Sequence, residues 1–276
     1  GGCSTRLYQS GERPIREMIA KYEAGQRLED FDLVSKLGAG SFATVFLAWQ
    51  RSMQRWVALK LSAAGGDEPQ TLAQLEHPFI VRVFDVRDIE GGRLRLLYME
   101  YVRGGTLEDI VGRIKQMPRC DWSGQRLLSL LDDMLRARHE TPPQDSINRR
   151  LLADANWEET VCIVGSHLAL ALAYAQRRGV LHRDVKPANI LLSGAAFPKL
   201  ADFNVSFGSQ VQGTTAAAHF GGSMAYMSPE QLEAMHPASP VRPEDLDGTS
   251  DIYALGIVLW ELLTGQRPFP KLQKNA

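Results

Sequence analysis

Apolar positions along the chain change their spacing twice, and the changes divide it into three stretches. Within 14–24, Ile15, Met18, Ile19 and Tyr22 recur at helical spacing and Gly25 follows, which predicts an amphipathic helix with a glycine stop. Its expected role is packing or linking. From Phe31 the pattern shortens to β-like runs at 31–36, 44–49, 56–61, 80–86 and 94–101, and strands in such close succession predict an antiparallel sheet. After Gly105, stripes of helical period cover 107–116, 125–138, 158–177 and 250–264. A strand-rich first part followed by a helix-rich second part predicts an α+β chain of two lobes. The apolar runs at 161–175 and 252–263 fall short of the roughly 20 residues a bilayer requires, and the first contains Ser166 and His167, so both are read as buried helices. There is no internal repeat, and the loop-like stretches are 208–218 and 237–248.

Charge and cysteine content remove several function classes. The 31 basic residues face 32 acidic ones, interspersed without long runs of one sign. A domain that grips phosphate backbones carries a basic surplus, so no nucleic-acid partner is expected. Cys3, Cys120 and Cys162 are far apart and lack CxxC or Cys/His ligand spacing, which argues against a disulfide framework or structural zinc and for a reducing cytoplasm. The chain opens Gly1-Gly2-Cys3 with neither an initiator Met nor a signal peptide, and is read as a fragment of a longer protein.

Candidate chemistry concentrates in Leu181-His182-Arg183-Asp184-Val185-Lys186-Pro187-Ala188-Asn189, which places a carboxylate, an ammonium and a carboxamide in one short loop. Phosphoryl transfer asks a protein to orient a hydroxyl, neutralise oxygens and hold a metal, and Asp184, Lys186 and Asn189 suit those tasks in that order. Between the first two predicted strands lies Leu37-Gly38-Ala39-Gly40-Ser41-Phe42-Ala43-Thr44-Val45. Glycines there let backbone approach phosphate oxygens, and their place between two strands argues against a dinucleotide fold, where they would open a helix. The next strand, Val57-Ala58-Leu59-Lys60, ends in lysine.

Taken together the motifs resemble those of the eukaryotic-like, or Hanks-type, protein kinases, most closely the Ser/Thr kinases of bacteria. They recur in family order: 38–45, 57–60, 182–189, Asp202-Phe203-Asn204, Ser228-Pro229-Glu230 and Ser250-Asp251-Ile252-Tyr253-Ala254-Leu255-Gly256. The resemblance implies a bilobal kinase fold over 31–276, with an N-lobe at about 31–99, a hinge at 100–105 and a C-lobe at 106–276, preceded by a helix or linker at 1–30. It implies ATP and Mg²⁺, with Mn²⁺ as a substitute, and protein substrates bearing Ser or Thr. Lys60 then holds the α and β phosphates, with Glu68 as its carboxylate partner. Gly38, Ala39, Gly40, Ser41, Phe42, Ala43, Val45 and Ala58 line the nucleotide. Met99 is the gatekeeper, Glu100 and Val102 present backbone groups to adenine, and Leu191 is a further nucleotide-binding residue. Asn189 and Asp202 supply oxygens to the metal, while Asp184 and Lys186 act on the substrate hydroxyl and the moving phosphoryl group. His182, Phe203, Leu72, Val83 and Asp251 match the positions that stack across the lobes. Ser209, Thr214 and Thr215 are candidate activating phosphosites, Arg183 is their partner, and Ser223 matches a substrate-pocket hydroxyl.

Departures from the family pattern set the rival readings. Seven residues separate Lys60 from Glu68, so the helix bearing Glu68 must be short, with Pro69 in its first turn. Asn204 replaces the usual glycine and tolerates the same left-handed backbone. An insertion at roughly 113–157, rich in Arg, Asp and Leu, either docks a partner or covers the helical lobe, and Leu127, Leu128, Leu130, Leu131, Met134 and Leu135 give it an apolar helical face. The family's last C-lobe helices, and the arginine that usually pairs with Glu230, are expected beyond Ala276. The alternatives to catalysis are a scaffold that binds nucleotide or partners without turnover, and a small-molecule kinase of related fold.

Overall fold

The computed structural model describes residues 16–40, 43–64, 74–203, 221–236 and 238–269, which fall into two compact units. The first comprises Gly1–Leu75 and Arg82–Tyr101, the second Glu76–Val81 and Val102–Ala276.

Alternating burial builds the first unit. In β3 (Ala43–Gln50), Thr44, Phe46, Ala48 and Gln50 are buried while the residues between them are only partly so, the period-2 signature of a strand with one face on a core. Strands β1 (Arg27–Leu28), β2 (Phe31–Ala39), β3, β4 (Arg55–Ala63), β5 (Val83–Ile89) and β6 (Leu94–Glu100) form one sheet in the order β1-β2-β3-β4-β6-β5, every pair antiparallel. The core unites Phe31, Leu33, Phe46, Leu59, Leu61, Leu94, Leu96 and Tyr98. Met18 and Ile19 from the helical segment 16–20 join it, so the expected linker region packs as part of this unit. The chain then turns at Gly25, whose φ of +89° suits glycine and whose N–H donates to Leu33 O at 2.7 Å.

The strand expected at 80–86 begins instead at Val83. Ile80 and Val81 are buried, as their apolar character demands, but their partners lie in the second unit: Ile80 bridges Leu200 in parallel and Val81 N–H donates to Leu200 O at 2.8 Å. Rings anchor the same segment, with Phe79 4.2 Å from His167 and His77 4.8 Å from Tyr174.

In the second unit, the predicted helices appear as α1 (Leu107–Ile114), α2 (Gly124–Arg136), α4 (Trp157–Gln176) and α6 (Gly248–Thr264). Helices α3 (Ile147–Asp154) and α5 (Pro229–Ala234) are additions, as is a small sheet of β7 (Gly104–Thr106), β8 (Ile190–Ser193) and β9 (Pro198–Leu200). These elements are too short for periodicity to reveal. Caps mark the boundaries: Thr106 and Asp109 form a reciprocal capping box on α1, as do Asn156 and Glu159 on α4. Gly265, at φ +74°, closes α6 in the left-handed region. Helices α4 and α6 pack where Gly165 admits the Leu259 side chain, and Trp157 Nε1–H donates to Leu262 O at 2.9 Å.

The insertion covers its own unit. All six apolar residues of α2 named above are buried. A Cβ on Gly105 would lie 1.7 Å from Met134 Cε, so glycine there is what lets α2 lie directly on β7. On α3, by contrast, Ile147 and Leu151 are exposed.

Candidate active site

The 182–189 loop hangs from α6 by one buried carboxylate. Asp251, in the first turn of α6 and only 5% exposed, accepts the backbone N–H of His182 and of Arg183, both at 2.7 Å. Those bonds hold Arg183 at φ +60°, a left-handed conformation that a long side chain adopts only when its surroundings impose it. Burial pushes the Asp251 carboxyl above its usual value, against the pull of His182 and the two N–H donors.

His182 is fully buried, and burial lowers its imidazole below the ordinary value, so the ring is neutral at pH 7. Its neighbours assign the tautomer: Nε2 lies 3.0 Å from Ala201 O, an acceptor, and Nδ1 lies 3.4 Å from the Asp184 N–H, a donor. The proton therefore sits on Nε2. One imidazole thus connects the backbone of Asp184 to the residue before Asp202, with Phe203 stacked on it at 4.4 Å between centroids.

Asp184 Oδ2 gathers two cationic or amide donors, Lys186 Nζ at 2.6 Å and Asn189 Nδ2 at 2.9 Å. Asn189 Nδ2 also donates to Asp184 O at 2.9 Å, and Lys186 Nζ to Ser223 Oγ at 2.7 Å. Among the described residues, Asp184 Oδ1 takes no hydrogen bond. Both Asn189 amide hydrogens are thus taken by Asp184, and Asn189 Oδ1 has only acceptor capacity to offer. Asp202 follows through Ala201, whose N–H donates to Asn189 O at 2.9 Å, and it stands exposed at φ +58°.

A hard divalent cation fits this pair. Asn189 offers an amide oxygen and Asp202 a carboxylate, the ligand types Mg²⁺ prefers. Among the described residues no group of three or more His, Cys, Asp or Glu could hold a metal ion.

Sequence reasoning missed Gln231, although the Ser228-x-x-Gln231 spacing is that of a capping box. Gln231 completes that box at the start of α5, and its Nε2 donates to Arg183 O at 3.1 Å, bracing the catalytic loop from a second side. Glu230 accepts from Ser250 Oγ at 2.8 Å.

In the first unit, register rather than proximity in sequence collects the expected nucleotide residues. Val45 pairs with Lys60, Lys60 with Leu97, and Ala58 with Met99, so Val45, Ala58, Lys60, Leu97 and Met99 share the sheet face opposite the Phe46 and Leu59 core. Gly38 pairs with Val45 and Ala39 with Thr44, and Gly40 N–H donates to Ala43 O at 2.8 Å, closing the glycine hairpin. Val83 pairs with Met99, and Glu100 N–H donates to Arg82 O at 2.8 Å. Val102 is buried in the second unit, where Leu191 sits on β8 opposite Thr106 and Lys199. Ser41, Phe42, Glu68, Pro69, Leu72, Asn204, Ser209, Thr214 and Thr215 lie outside the described residues.

This sheet and loop define a chain of the kinase class. More narrowly, it belongs to the protein kinase domain family, whose profile matches residues 31–276. It is 32% identical over 253 residues to serine/threonine-protein kinase PknB of Mycobacterium leprae, covering 87% of this chain and 33% of that protein. PknJ of Mycobacterium bovis is 31% identical over 267 residues, covering 91% of this chain and 37% of that one. The chain thus spans about a third of the length of these curated relatives. The crystal structure of the Mycobacterium tuberculosis PknI kinase domain superposes with a TM-score of 0.57 at 24% identity, covering 91% of this chain and 79% of that one, a likeness of fold. Among the described residues no helix is long and apolar enough to cross a membrane.

Proposed function

We propose that this chain is the catalytic domain of a serine/threonine-protein kinase that moves the γ-phosphoryl group of ATP to Ser or Thr hydroxyls of a protein, in a reducing, cytoplasmic setting. The observation that carries the reading is the Asp184 carboxylate, with Lys186 and Asn189 both drawn onto Oδ2. Asp184 Oδ1 accepts the hydrogen of the incoming hydroxyl and holds its oxygen in line. As the new O–P bond forms and the bond to the β-phosphate oxygen breaks, that proton passes to Asp184 and ADP leaves. Lys186 has three hydrogens; Asp184 and Ser223 take two, and the third serves the transferring phosphoryl oxygens. Bound Mg²⁺ supplies charge neutralisation at the phosphates, held by Asn189 and Asp202. Lys60 and the glycine hairpin of the first unit contribute the remaining phosphate contacts, with Glu68 as the partner of Lys60.

The test is incubation of purified protein with γ-labelled ATP and Mg²⁺ beside Asp184→Asn and Lys60→Met, with phosphosites mapped by mass spectrometry. The expected result is phosphate on Ser or Thr, including positions within 206–223, absent from both variants. Nucleotide binding with no transfer to the chain or to generic protein substrates sinks the reading in favour of a scaffold.

A further inference from the structure

The turn between β8 and β9 presents three successive carbonyl oxygens, and each is met by a different side chain from the start of α3. Arg149 Nη1 donates to Gly194 O at 2.9 Å, Ser146 Oγ to Ala195 O at 2.8 Å and Asn148 Nδ2 to Ala196 O at 2.6 Å. Arg149 is itself fixed, since Nη2 donates to Asp132 Oδ1 of α2 at 2.6 Å, and the two side chains are only 12% and 18% exposed. Asn148 is 2% exposed and Ala196 is fully buried.

The hairpin does not need these bonds to close. Ala196 N–H donates to Ser193 O at 2.8 Å, Ser193 N–H to Phe197 O at 2.9 Å and Phe197 N–H to Ser193 Oγ at 3.1 Å, which complete the turn internally. The insertion adds a fixed seat for it. Ala196 stands at φ +66°, a conformation unfavourable for alanine by about 1 kcal/mol or more, and its carbonyl is the one Asn148 grips.

The other end of this hairpin is the metal pair. Asn189 immediately precedes β8, and Asp202 lies two residues past the end of β9. Ile190 pairs with Leu200, Leu191 with Lys199 and Leu192 with Pro198, so the strands run as a three-rung ladder from the gripped turn to the two oxygen donors, roughly 13 Å at about 3.3 Å per residue. We propose that Ser146, Asn148 and Arg149 are positioning residues for Asn189 and Asp202: the insertion grips the far end of the hairpin and so sets the spacing of the two metal-binding oxygens at its near end. This rests on the metal role given to that pair above.

The experiment uses the full chain and two readouts that need no turnover: Mn²⁺ binding in the presence of ADP, followed by electron paramagnetic resonance of the free ion, and amide hydrogen exchange. Arg149→Met removes both guanidinium bonds; Ser146→Ala removes the bond to Ala195 O and the cap bond that Ser146 Oγ accepts from Arg149 N–H, and serves if Arg149→Met fails to fold; Arg150→Met, on the exposed side of α3, is the control. The expected result is Mn²⁺ binding weakened roughly 3- to 10-fold, below the 10- to 100-fold typical when a group bonded directly to a ligand is lost. Faster exchange at Ala201 should accompany faster exchange at Ser193 and Ala196, with Arg150→Met unchanged. Faster exchange confined to Ser193 and Ala196, with Ala201 and Mn²⁺ affinity as in the parent, overturns the proposal and leaves a packing contact. A parent chain that binds Mn²⁺ with ADP but transfers no phosphate overturns the kinase reading while these readouts still decide the clamp.

Discussion

Asp251 and His182 show how two buried groups organise the 182–189 loop. Asp251→Asn keeps one acceptor and turns the other position into a donor, so one of the two N–H groups loses its partner. A cost of about 2–3 kcal/mol is expected in denaturant unfolding, the scale of a hydrogen bond to a charged group, together with a fall in kcat from loosening around Asp184. For His182 the sign follows from burial. Its folded value is lowered beneath 6.5, so the unfolded chain binds the extra proton first and stability declines as pH falls from about 6.5. Unfolding free energy measured from pH 7.5 to 5 should show that decline, and His182→Phe, which has no proton to take up, should reduce it, leaving the shares of His77 and His167, whose imidazoles burial also lowers. The residue order of this loop was legible from its motif, and the structure brings Lys186 and Asn189 within hydrogen-bond distance of Asp184, the grouping on which the roles proposed above rest. Gln231 was not read as a loop support, because its partner lies 48 residues away and one amide carries no periodic signal.

Among the elements, the helical segment 16–20 carries weight out of proportion to its length. Ile19 is 7% exposed within the core of the first unit, so Ile19→Ala is expected to cost roughly 2–4 kcal/mol, read as a lowered unfolding midpoint. A mere linker would move it by a few tenths at most. At the C-terminal end of α6, Glu261 is 2% exposed and meets Lys115 Nζ at 2.7 Å, Arg267 Nε at 3.2 Å and the Tyr226 hydroxyl. Burial alone would raise its carboxyl, but those donors outweigh burial and hold it below 4.5. Its contribution is therefore whole above about 4.5 and lost as pH falls through the lower folded value. Glu261→Gln should be less stable at pH 7, and the gap to the parent should close toward pH 3 in thermal melts. Long elements were legible because a core face repeats over several turns. Elements of three to eight residues, such as β7, β9 and α3, hold their shape through partners elsewhere in the chain, which no local pattern announces.

At the scale of the molecule, the two-part composition read from the spacing of apolar residues corresponds to two units with separate interiors. What sequence could not give was the assignment of residues 76–81, whose strand-like character is satisfied by β9 in the second unit. The near balance of charge gives a whole-chain expectation: fluorescence anisotropy of a labelled single-stranded DNA should stay flat with added protein at about 150 mM salt, where a basic groove would still retain affinity. The left-handed backbone at Asp202 has an evolutionary consequence. An aspartate there carries a conformational penalty that glycine lacks, so Asp202→Gly removes the carboxylate proposed to hold the metal and relieves strain in one step, whereas Asp202→Ala removes the carboxylate and keeps the strain. In a duplicated copy released from selection for catalysis, drift toward glycine at this position is downhill for stability, so the same backbone angle that serves the active enzyme makes its retirement into an inert relative easy.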